Sequence, residues 1–221
     1  MSALDALSHC SSIRNYRYSS LLLAAAGAIL FLAPLMARAD GLTDIRRLLS
    51  TNSVICANFT QKKLLRALTR PLVSTGRLLF VAGKGVLWEV VEPFPARVLV
   101  KKDALVKWND DGSVQQLSLG QAPIFRALSQ VFLAMFTGDL KGLQGTFKID
   151  TNVLGSRWQL VLVPRDTAIA AIIASVTVKG GRFVDELDIE EGRGDHTQIQ
   201  FDGTSTESCG LSVTEKGYFE Q

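Results

Sequence analysis

The sequence predicts a mainly β fold with helices (α+β), built on a single antiparallel sheet that is strongly curved or nearly closed. Three observations support this prediction. About ten or eleven short segments have the composition of β-strands and are separated by turn residues. One long amphipathic segment follows the sixth of them. No stretch rich in Pro, Gly or Ser and no internal repeat divides the chain, so a single domain is expected.

The beginning of the chain has the pattern of a signal peptide. Two basic residues, Arg14 and Arg17, precede an uncharged run that ends in an A-x-A cleavage pattern before Asp40. The alternative is an uncleaved anchor helix, because a run of about 20 uncharged residues just spans a bilayer. We therefore expect a signal peptide over residues 1–39 and one exported domain over residues 40–221.

The exported domain is nearly neutral. The whole sequence has 24 Lys and Arg against 21 Asp and Glu, and the leader holds three of the basic residues and one of the acidic ones. This leaves 21 basic residues against 20 acidic ones, without the basic stripe of a nucleic-acid interface. Two cysteines remain, Cys56 and Cys209. In an oxidising compartment they form either a disulfide bond or two buried free thiols.

The exported domain is expected to begin with a short helix, which strands then follow. Four apolar residues recur at helical spacing between Leu42 and Leu49, which predicts a helix over residues 42–50. Glycines and other turn residues separate the strands that follow. The first six predicted strands are residues 57–65, 72–82, 85–91, 95–102, 104–109 and 113–119.

The long amphipathic segment predicts an α-helix over residues 123–137. Pro123 suits the first turn of a helix, and Gly138 is a typical stop signal. Apolar side chains cover one arc of this helix, and polar residues such as Arg126 and Gln130 lie opposite. Such a helix is expected to lie on an apolar surface. The five strands predicted after it are residues 145–150, 157–164, 172–179, 184–190 and 196–201.

Apolar residues in the second and third predicted strands come in blocks. Leu78 and Phe80 share one face of their strand, and Val86, Trp88 and Val90 share one face of the next. A sheet with one solvated face alternates apolar and polar residues, so both faces of this hairpin are expected to be covered. The long helix is expected to cover the inner face, and the first helix is expected to cover the other.

Residues able to carry chemistry are sparse in the exported domain. Its one histidine, His196, starts a predicted strand among polar neighbours, which is typical of a solvent-facing position. A metal site that combines His196 with Cys56 and Cys209 lacks local ligand spacing, and no G-x-S-x-G motif is present. We therefore expect a binding function without enzyme activity, metal or cofactor. The apolar interior is either a ligand cavity or a packed core.

Several motifs occur in a defined order along the exported chain. They are FTQKK at 59–63, SxGxLxF at 74–80, GVLW at 85–88, a proline-bearing turn at 92–93, the Pro-led helix, and WQLVLVP at 158–164. Their order and spacing behind a cleavable leader resemble the LolA-like family, the periplasmic lipoprotein carriers of Gram-negative bacteria. The resemblance covers essentially all of residues 40–201.

This resemblance implies an incomplete antiparallel β-barrel with a helical lid over a hydrophobic cavity. It also implies a periplasmic carrier that shelters acyl chains of lipoproteins or related lipids. Such a carrier receives its cargo from an inner-membrane transporter and passes it to an outer-membrane acceptor; we expect a monomer that binds no nucleic acid. The residues expected to line the cavity and its lid are Leu78, Phe80, Val86, Trp88, Val90, Phe125, Leu128, Phe132, Met135 and Phe136.

One position departs from the family's pattern. Better-known members carry an Arg-Pro pair in the turn after the SxGxLxF strand, and its arginine latches the lid, whereas this sequence has Ala82-Gly83 there. Lys84 stands nearby but lacks a planar guanidinium with several donors. This departure leaves the lid-locking cycle and the cargo open. The alternative is a non-carrier periplasmic binding or scaffold module with a filled β core.

Overall fold

Eleven antiparallel strands form one continuous sheet in the part of the chain that the structure describes. The structure is a computed structural model, and it describes residues 41–109, 111–207 and 209–220. The predicted leader over residues 1–39 lies outside the described residues and stays a prediction. All described elements belong to one unit, Arg38–Gln221.

Six strands of this sheet precede the long helix in the chain, and five follow it. Strands β1 to β6 are Val54–Leu64, Leu72–Val81, Gly85–Glu92, Ala96–Val100, Ala104–Trp108 and Val114–Ser118. Strands β7 to β11 are Phe147–Leu154, Arg157–Pro164, Ile173–Gly180, Val184–Glu191 and His196–Ser205. Helices α1 to α4 are Gly41–Leu48, Pro123–Thr137, Thr167–Ala170 and Val213–Tyr218. Two 3-10 turns, Leu119–Gln121 and Lys141–Gly145, flank α2.

The sheet is open, with β6 and β7 as its two edge strands. Each strand pairs with its neighbour in the chain, except that α2 separates β6 from β7. The first and last strands, β1 and β11, pair with each other in the middle of the sheet. The fold is therefore an incomplete antiparallel barrel with helices, which confirms the predicted fold class.

Helix α2 begins and ends where the sequence predicts. Pro123 occupies its first turn, and Gly138 follows its last residue with a φ of 72°, a conformation that glycine adopts without strain. The strand ends differ from the predicted ones by a few residues at most. Helices α3 and α4 were not predicted, because their 4 and 6 residues are too few to show a helical period.

The inner face of the sheet, on which α2 packs, carries the larger hydrophobic core. Leu78 and Phe80 of β2 and Val86 of β3 are buried there. Leu42 and Ile45 of α1 belong to the same core, so α1 and α2 cover the same face.

The outer face of β2 to β5 is covered by the C-terminal segment, residues 209–220. Leu79 and Leu87 form a second core with Phe219 of this segment. The expectation that the first helix covers this face is therefore wrong. Alternate residues of one strand face two separate cores. This explains why apolar residues come in blocks in β2 and β3. Leu78 points inward, and Leu79 points outward.

Candidate functional site

More of α2 is buried than a single apolar arc predicts. Its buried residues are Ala127, Ser129, Val131, Ala134, Met135 and Phe136. Gln130, expected on the polar side, is half-buried, and its Oε1 accepts a 2.9 Å hydrogen bond from Oγ1 of Thr146. Phe125, expected on the apolar side, is 49% exposed. Helix α2 is therefore enclosed along most of its length and exposed mainly near its N-terminus.

Aromatic rings fill the space between α2 and the sheet around Trp88. The ring of Phe59 stacks on Trp88 with centroids 3.7 Å apart. Phe132 of α2 and Phe201 of β11 meet Trp88 edge-on, with centroid distances of 5.5 and 6.2 Å. Two spaces of about 10 Å³ adjoin Phe136 nearby, each with room for about one water. The inner face beneath α2 is therefore occupied mainly by the protein's own side chains.

Gly76 makes the stack of Phe59 on Trp88 possible. A Cβ atom at Gly76 would lie 2.1 Å from the carbonyl oxygen of Glu89 and 2.6 Å from Cζ of Phe59. The ring of Phe59 occupies the place where a side chain would stand. The glycine of the SxGxLxF motif thus has a packing role on the inner face.

A cleft of about 680 Å³ lies along α2 and is distinct from the two small spaces beside Phe136. This volume lies within the range of small-molecule binding sites. The cleft is bordered by α2, by the turns that follow β2 and β4, and by the 3-10 turns on either side of α2. Its lining residues are Phe80, Gly83, Lys84, Gly85, Lys102, Asp103, Ser118, Leu119, Gly120, Arg126, Gln130, Leu133, Ala134, Thr137, Asp139, Gly142 and Leu143.

The cleft has an apolar floor and a charged rim. The floor consists of side chains that are buried or half-buried: Phe80, Leu119, Leu133, Ala134 and Leu143. The rim consists of exposed charged residues, three basic and two acidic: Lys84, Lys102, Arg126, Asp103 and Asp139. The arrangement suits a ligand with an apolar body and a polar end.

Three hydrogen bonds of two polar side chains hold α2 to neighbouring segments on the cleft wall. The guanidinium of Arg126 donates to the carbonyl oxygens of Leu119 and Gly120 at 3.0 and 2.9 Å. Gln130 accepts a hydrogen bond from Thr146, as noted for the buried side of the helix. Both side chains line the cleft, so a ligand in the cleft contacts the groups that hold the helix in place.

The residues that stand in place of the family's Arg-Pro pair form a tight turn at the cleft rim. The N–H of Ala82 donates to the carbonyl oxygen of Ser53 at 2.8 Å, and Gly83 has a φ of 75°. Gly83 and Lys84 both line the cleft.

The ten residues predicted to line the cavity and lid fall into four groups. Phe80 lines the cleft; Phe132, Met135 and Phe136 adjoin the small spaces; Leu78, Val86, Trp88, Val90 and Leu128 pack in the inner core; and Phe125 is at the surface. Sequence reasoning missed Leu119, Arg126, Leu133 and Leu143 of the cleft. Leu133 lies on the predicted helix and could have been identified from the sequence. Leu119 and Leu143 lie in 3-10 turns, which show no hydrophobic periodicity.

A disulfide bond and an ion-pair network fasten the C-terminal segment to the outer face. Cys56 of β1 is bonded to Cys209, with Cα atoms 5.7 Å apart. Arg77 of β2 contacts Glu89 of β3 at 2.6 Å and Glu215 of α4 at 2.9 Å. Arg97 of β4 pairs with the same Glu89 and lies 4.2 Å from the ring centroid of Tyr218. Charged groups thus surround the contact of α4 with the second core.

The two carboxylates of this network have lowered pKa values. Burial alone would raise the pKa of Glu89, but the hydrogen bonds from Arg97 and Arg77 outweigh burial and lower it. Burial also opposes ionisation of Glu215, yet hydrogen bonds from Ser212 and the charge of Arg77 lower its pKa. Both groups therefore favour the folded state in their ionised form.

His196 lies among carboxylates. Its Nδ1 is 2.8 Å from Oε1 of Glu190, and its Nε2 is 3.5 Å from Oδ1 of Asp188. Over the described ranges of the chain, no three His, Cys, Asp or Glu side chains form a group suited to a metal ion. No helix within those ranges is long and apolar enough to span a bilayer.

Comparisons with known proteins show what the chain is similar to. No curated protein sequence matches it. A LolA superfamily protein from Nitrosomonas europaea is 11% identical with a TM-score of 0.45, over 79% of this chain and 94% of that one. A DUF1329 family protein from Desulfovibrio piger is 14% identical with a TM-score of 0.46, over 81% and 95%. A putative outer membrane lipoprotein-sorting protein domain from Vibrio parahaemolyticus is 9% identical with a TM-score of 0.43, over 81% and 97%.

The family itself follows from the sequence match. The family model described as "Outer membrane lipoprotein carrier protein LolA-like" matches residues 37–215, which is most of the chain. The protein therefore belongs to the LolA-like family of outer membrane lipoprotein carrier proteins.

Proposed function

We propose that this protein is an exported, periplasmic carrier that shelters an acyl chain of a lipoprotein or related lipid in the cleft beside α2. The observation that carries this proposal is the cleft of about 680 Å³, with its apolar floor and charged rim. Membership of the LolA-like family supports it. The rim places basic residues next to apolar volume, which matches the chemistry of an acyl chain attached to a polar group.

Carrying an acyl chain through water requires shelter. Burying one methylene group is worth about 0.8 kcal/mol, so a chain of roughly 16 carbons gains about 12 kcal/mol from leaving water. A carrier needs to cover most of this chain and still release it. A cleft whose wall is a movable helix meets both requirements, because the helix closes over the chain and opens at the acceptor.

Helix α2 has the properties of such a wall. Among the described contacts, three side chains hold α2 to neighbouring segments: Arg126, Gln130 and Thr137, whose hydroxyl accepts a hydrogen bond from the N–H of Asp139. All three line the cleft. We infer a cycle in which an inner-membrane transporter loads the cleft and an outer-membrane acceptor empties it. A monomer suffices for this cycle, because one chain contributes the whole lining.

A titration with a fluorescent fatty acid tests the proposal. Leu133→Trp should intrude into the apolar floor of the cleft and weaken binding about tenfold, since a larger side chain in the site excludes an equal volume of ligand. Phe125→Trp is the matched control, because it enlarges an exposed residue of the same helix outside the lining. Organic extraction of the purified protein, followed by mass spectrometry, identifies any bound lipid. A folded protein that takes up no fatty acid, or equal binding by both variants, would contradict the proposal.

A second candidate is a non-carrier periplasmic binding or scaffold module, and the filled space around Trp88 favours it. Such a module should yield no lipid on extraction. Leu133→Trp should change its stability and should not change fatty acid binding, because there is no binding to lose. A catalytic role is a third candidate, which would need His196 or a site at Cys56 and Cys209. An unaltered phenotype for His196→Ala would argue against most of that role.

A further inference from the structure

One end of the sheet exposes large apolar side chains on two neighbouring turns. The first turn is the β1–β2 hairpin, in which every residue from 66 to 73 is exposed. The second is the β3–β4 turn, in which Phe94 is 82% exposed. The large apolar side chains on the two turns, each about half exposed or more, are Leu64, Leu68, Leu72, Val73, Val91 and Phe94. We call these two turns the apolar tip.

Strand register places the two turns side by side. Lys63 pairs with Leu72 at the end of the hairpin, and Thr75 pairs with Glu92 where β3 ends. The cleft is bordered instead by the turns that follow β2 and β4, at the opposite ends of the same strands. The apolar tip is therefore a separate surface from the cleft.

Basic residues lie between the apolar side chains of the hairpin. Residues 62–73 include Lys62, Lys63, Arg66 and Arg70, and no acidic residue occurs over residues 59–88. Lys62, Arg66 and Arg70 are exposed. The hairpin alone thus combines four positive charges with four exposed apolar side chains.

One of the nearby acidic residues is neutralised by an ion pair with this hairpin. Lys63 forms a 2.9 Å ion pair with Glu191. The N–H of Arg66 donates to Asp195 at 2.9 Å, and Glu92 is an exposed acid on the other turn. Lys62 and Arg70 are exposed beside the apolar side chains.

We propose that the apolar tip docks on the surface of an anionic lipid bilayer. Apolar side chains on a protruding turn enter the boundary between headgroups and acyl chains, while Lys and Arg reach back to the phosphates. A bilayer satisfies both sets of groups at once and needs no matching shape. A protein partner would instead need a complementary surface of roughly 800 Å² per side.

Vesicle binding tests this docking without any cargo. The purified protein should bind vesicles of phosphatidylglycerol and phosphatidylcholine at low salt and bind pure phosphatidylcholine vesicles much more weakly. The double variant Lys62→Gln/Arg70→Gln should lower the partition coefficient roughly 30-fold, because each charge near an anionic surface contributes about fivefold. Phe94→Ser should lower it about tenfold, because one large apolar side chain no longer enters the interface.

Matched variants outside the apolar tip serve as controls. Arg47→Gln/Lys141→Gln removes two exposed charges, and Leu154→Ser removes a side chain that is 80% exposed in the β7–β8 turn. Neither should change vesicle binding. A folded protein that binds no anionic vesicle, or that loses binding equally in the controls, overturns the proposal. So does a dimer in solution that Phe94→Ser dissociates, because the tip would then contact a second copy. Fatty acid uptake by the cleft is measured separately, so the two proposals fail independently.

Discussion

Replacing Arg126 by Gln should release the N-terminal half of α2 while leaving the sheet intact. The guanidinium makes two hydrogen bonds to backbone carbonyls, at Leu119 and Gly120, and Arg126 itself is exposed. A buried hydrogen bond from a charged donor contributes about 1.5–3 kcal/mol, and exposure to water reduces this. We therefore expect the two bonds together to contribute about 1.5 kcal/mol to the closed position of α2. Their loss should raise the open population about tenfold.

Two measurements detect this change. Amide hydrogen exchange over residues 126–131 should become about tenfold faster in Arg126→Gln, because exchange there reports local opening of the helix. The rate of fatty acid uptake should rise by a similar factor if opening limits entry. Arg47→Gln on α1 is the control, since it removes an exposed arginine whose partner, Asp44, lies on the same helix.

Two outcomes would contradict the role of Arg126 in holding α2 closed. If Arg126→Gln leaves both exchange and uptake unchanged while the urea midpoint falls, Arg126 stabilises the whole fold and does not hold α2 closed. If uptake rises without faster exchange in α2, the ligand enters without movement of the helix, and the cleft is permanently open.

Three other substitutions test the sheet and its outer cover. Cys56→Ser/Cys209→Ser should lower the free energy of unfolding by up to about 5 kcal/mol in urea titrations, because the bond closes a loop with a sequence separation of 153. The lowered pKa values of Glu89 and Glu215 mean that their contribution to stability is full above the ordinary value of 4.5 and is lost as pH falls below it. Glu89→Gln should therefore weaken the dependence of stability on pH below the ordinary pKa of 4.5, as thermal melts will show. Gly76→Ala should cost about 3 kcal/mol, because its Cβ would overlap a backbone oxygen at 2.1 Å, and should shift the tryptophan fluorescence.

Each of these has a control or an opposing outcome. Reducing agent added to the wild-type protein should reproduce the effect of the cysteine changes, and a loss under about 1 kcal/mol would argue against the chain-entropy account. An acid transition of unchanged steepness in Glu89→Gln would mean that other carboxylates govern it. Gly145→Ala is the control for Gly76→Ala, because no atom lies within 4 Å of its Cβ position.

The strands and α2 could be predicted because their signals are local. Alternation with a period of two, turn glycines, Pro123 and Gly138 all act within a few residues, so the sequence window that carries them also contains their effect. The inward direction of Leu78 and Phe80 followed from the same alternation.

The sequence could not show which segment covers which face of the sheet, because this depends on contacts between distant parts of the chain. The 6 residues of α4 carry no periodic signal, and their position follows from the Cys56–Cys209 bond and from Arg77. The first helix is amphipathic and would fit either face equally well by its pattern. Tertiary packing placed it on the inner face, beside α2.

The filled inner face also bears on how a carrier of this kind would release its cargo. Phe132, Met135 and Phe136 of α2 occupy the inner face, so an acyl chain that extends beyond the cleft onto this face would have to displace them. Moving each of these side chains into water costs about 2 kcal/mol, so displacing all three costs about 6 kcal/mol. An entering chain of 16 carbons gains at most about 12 kcal/mol from the same burial. The net free-energy gain of the entering chain is therefore only about half of the gross gain, because the helix competes with the cargo for one surface. Under the proposed function, this competition would let the carrier hold an acyl chain firmly enough to cross water, and would let α2 expel the chain when an acceptor offers it a deeper apolar site.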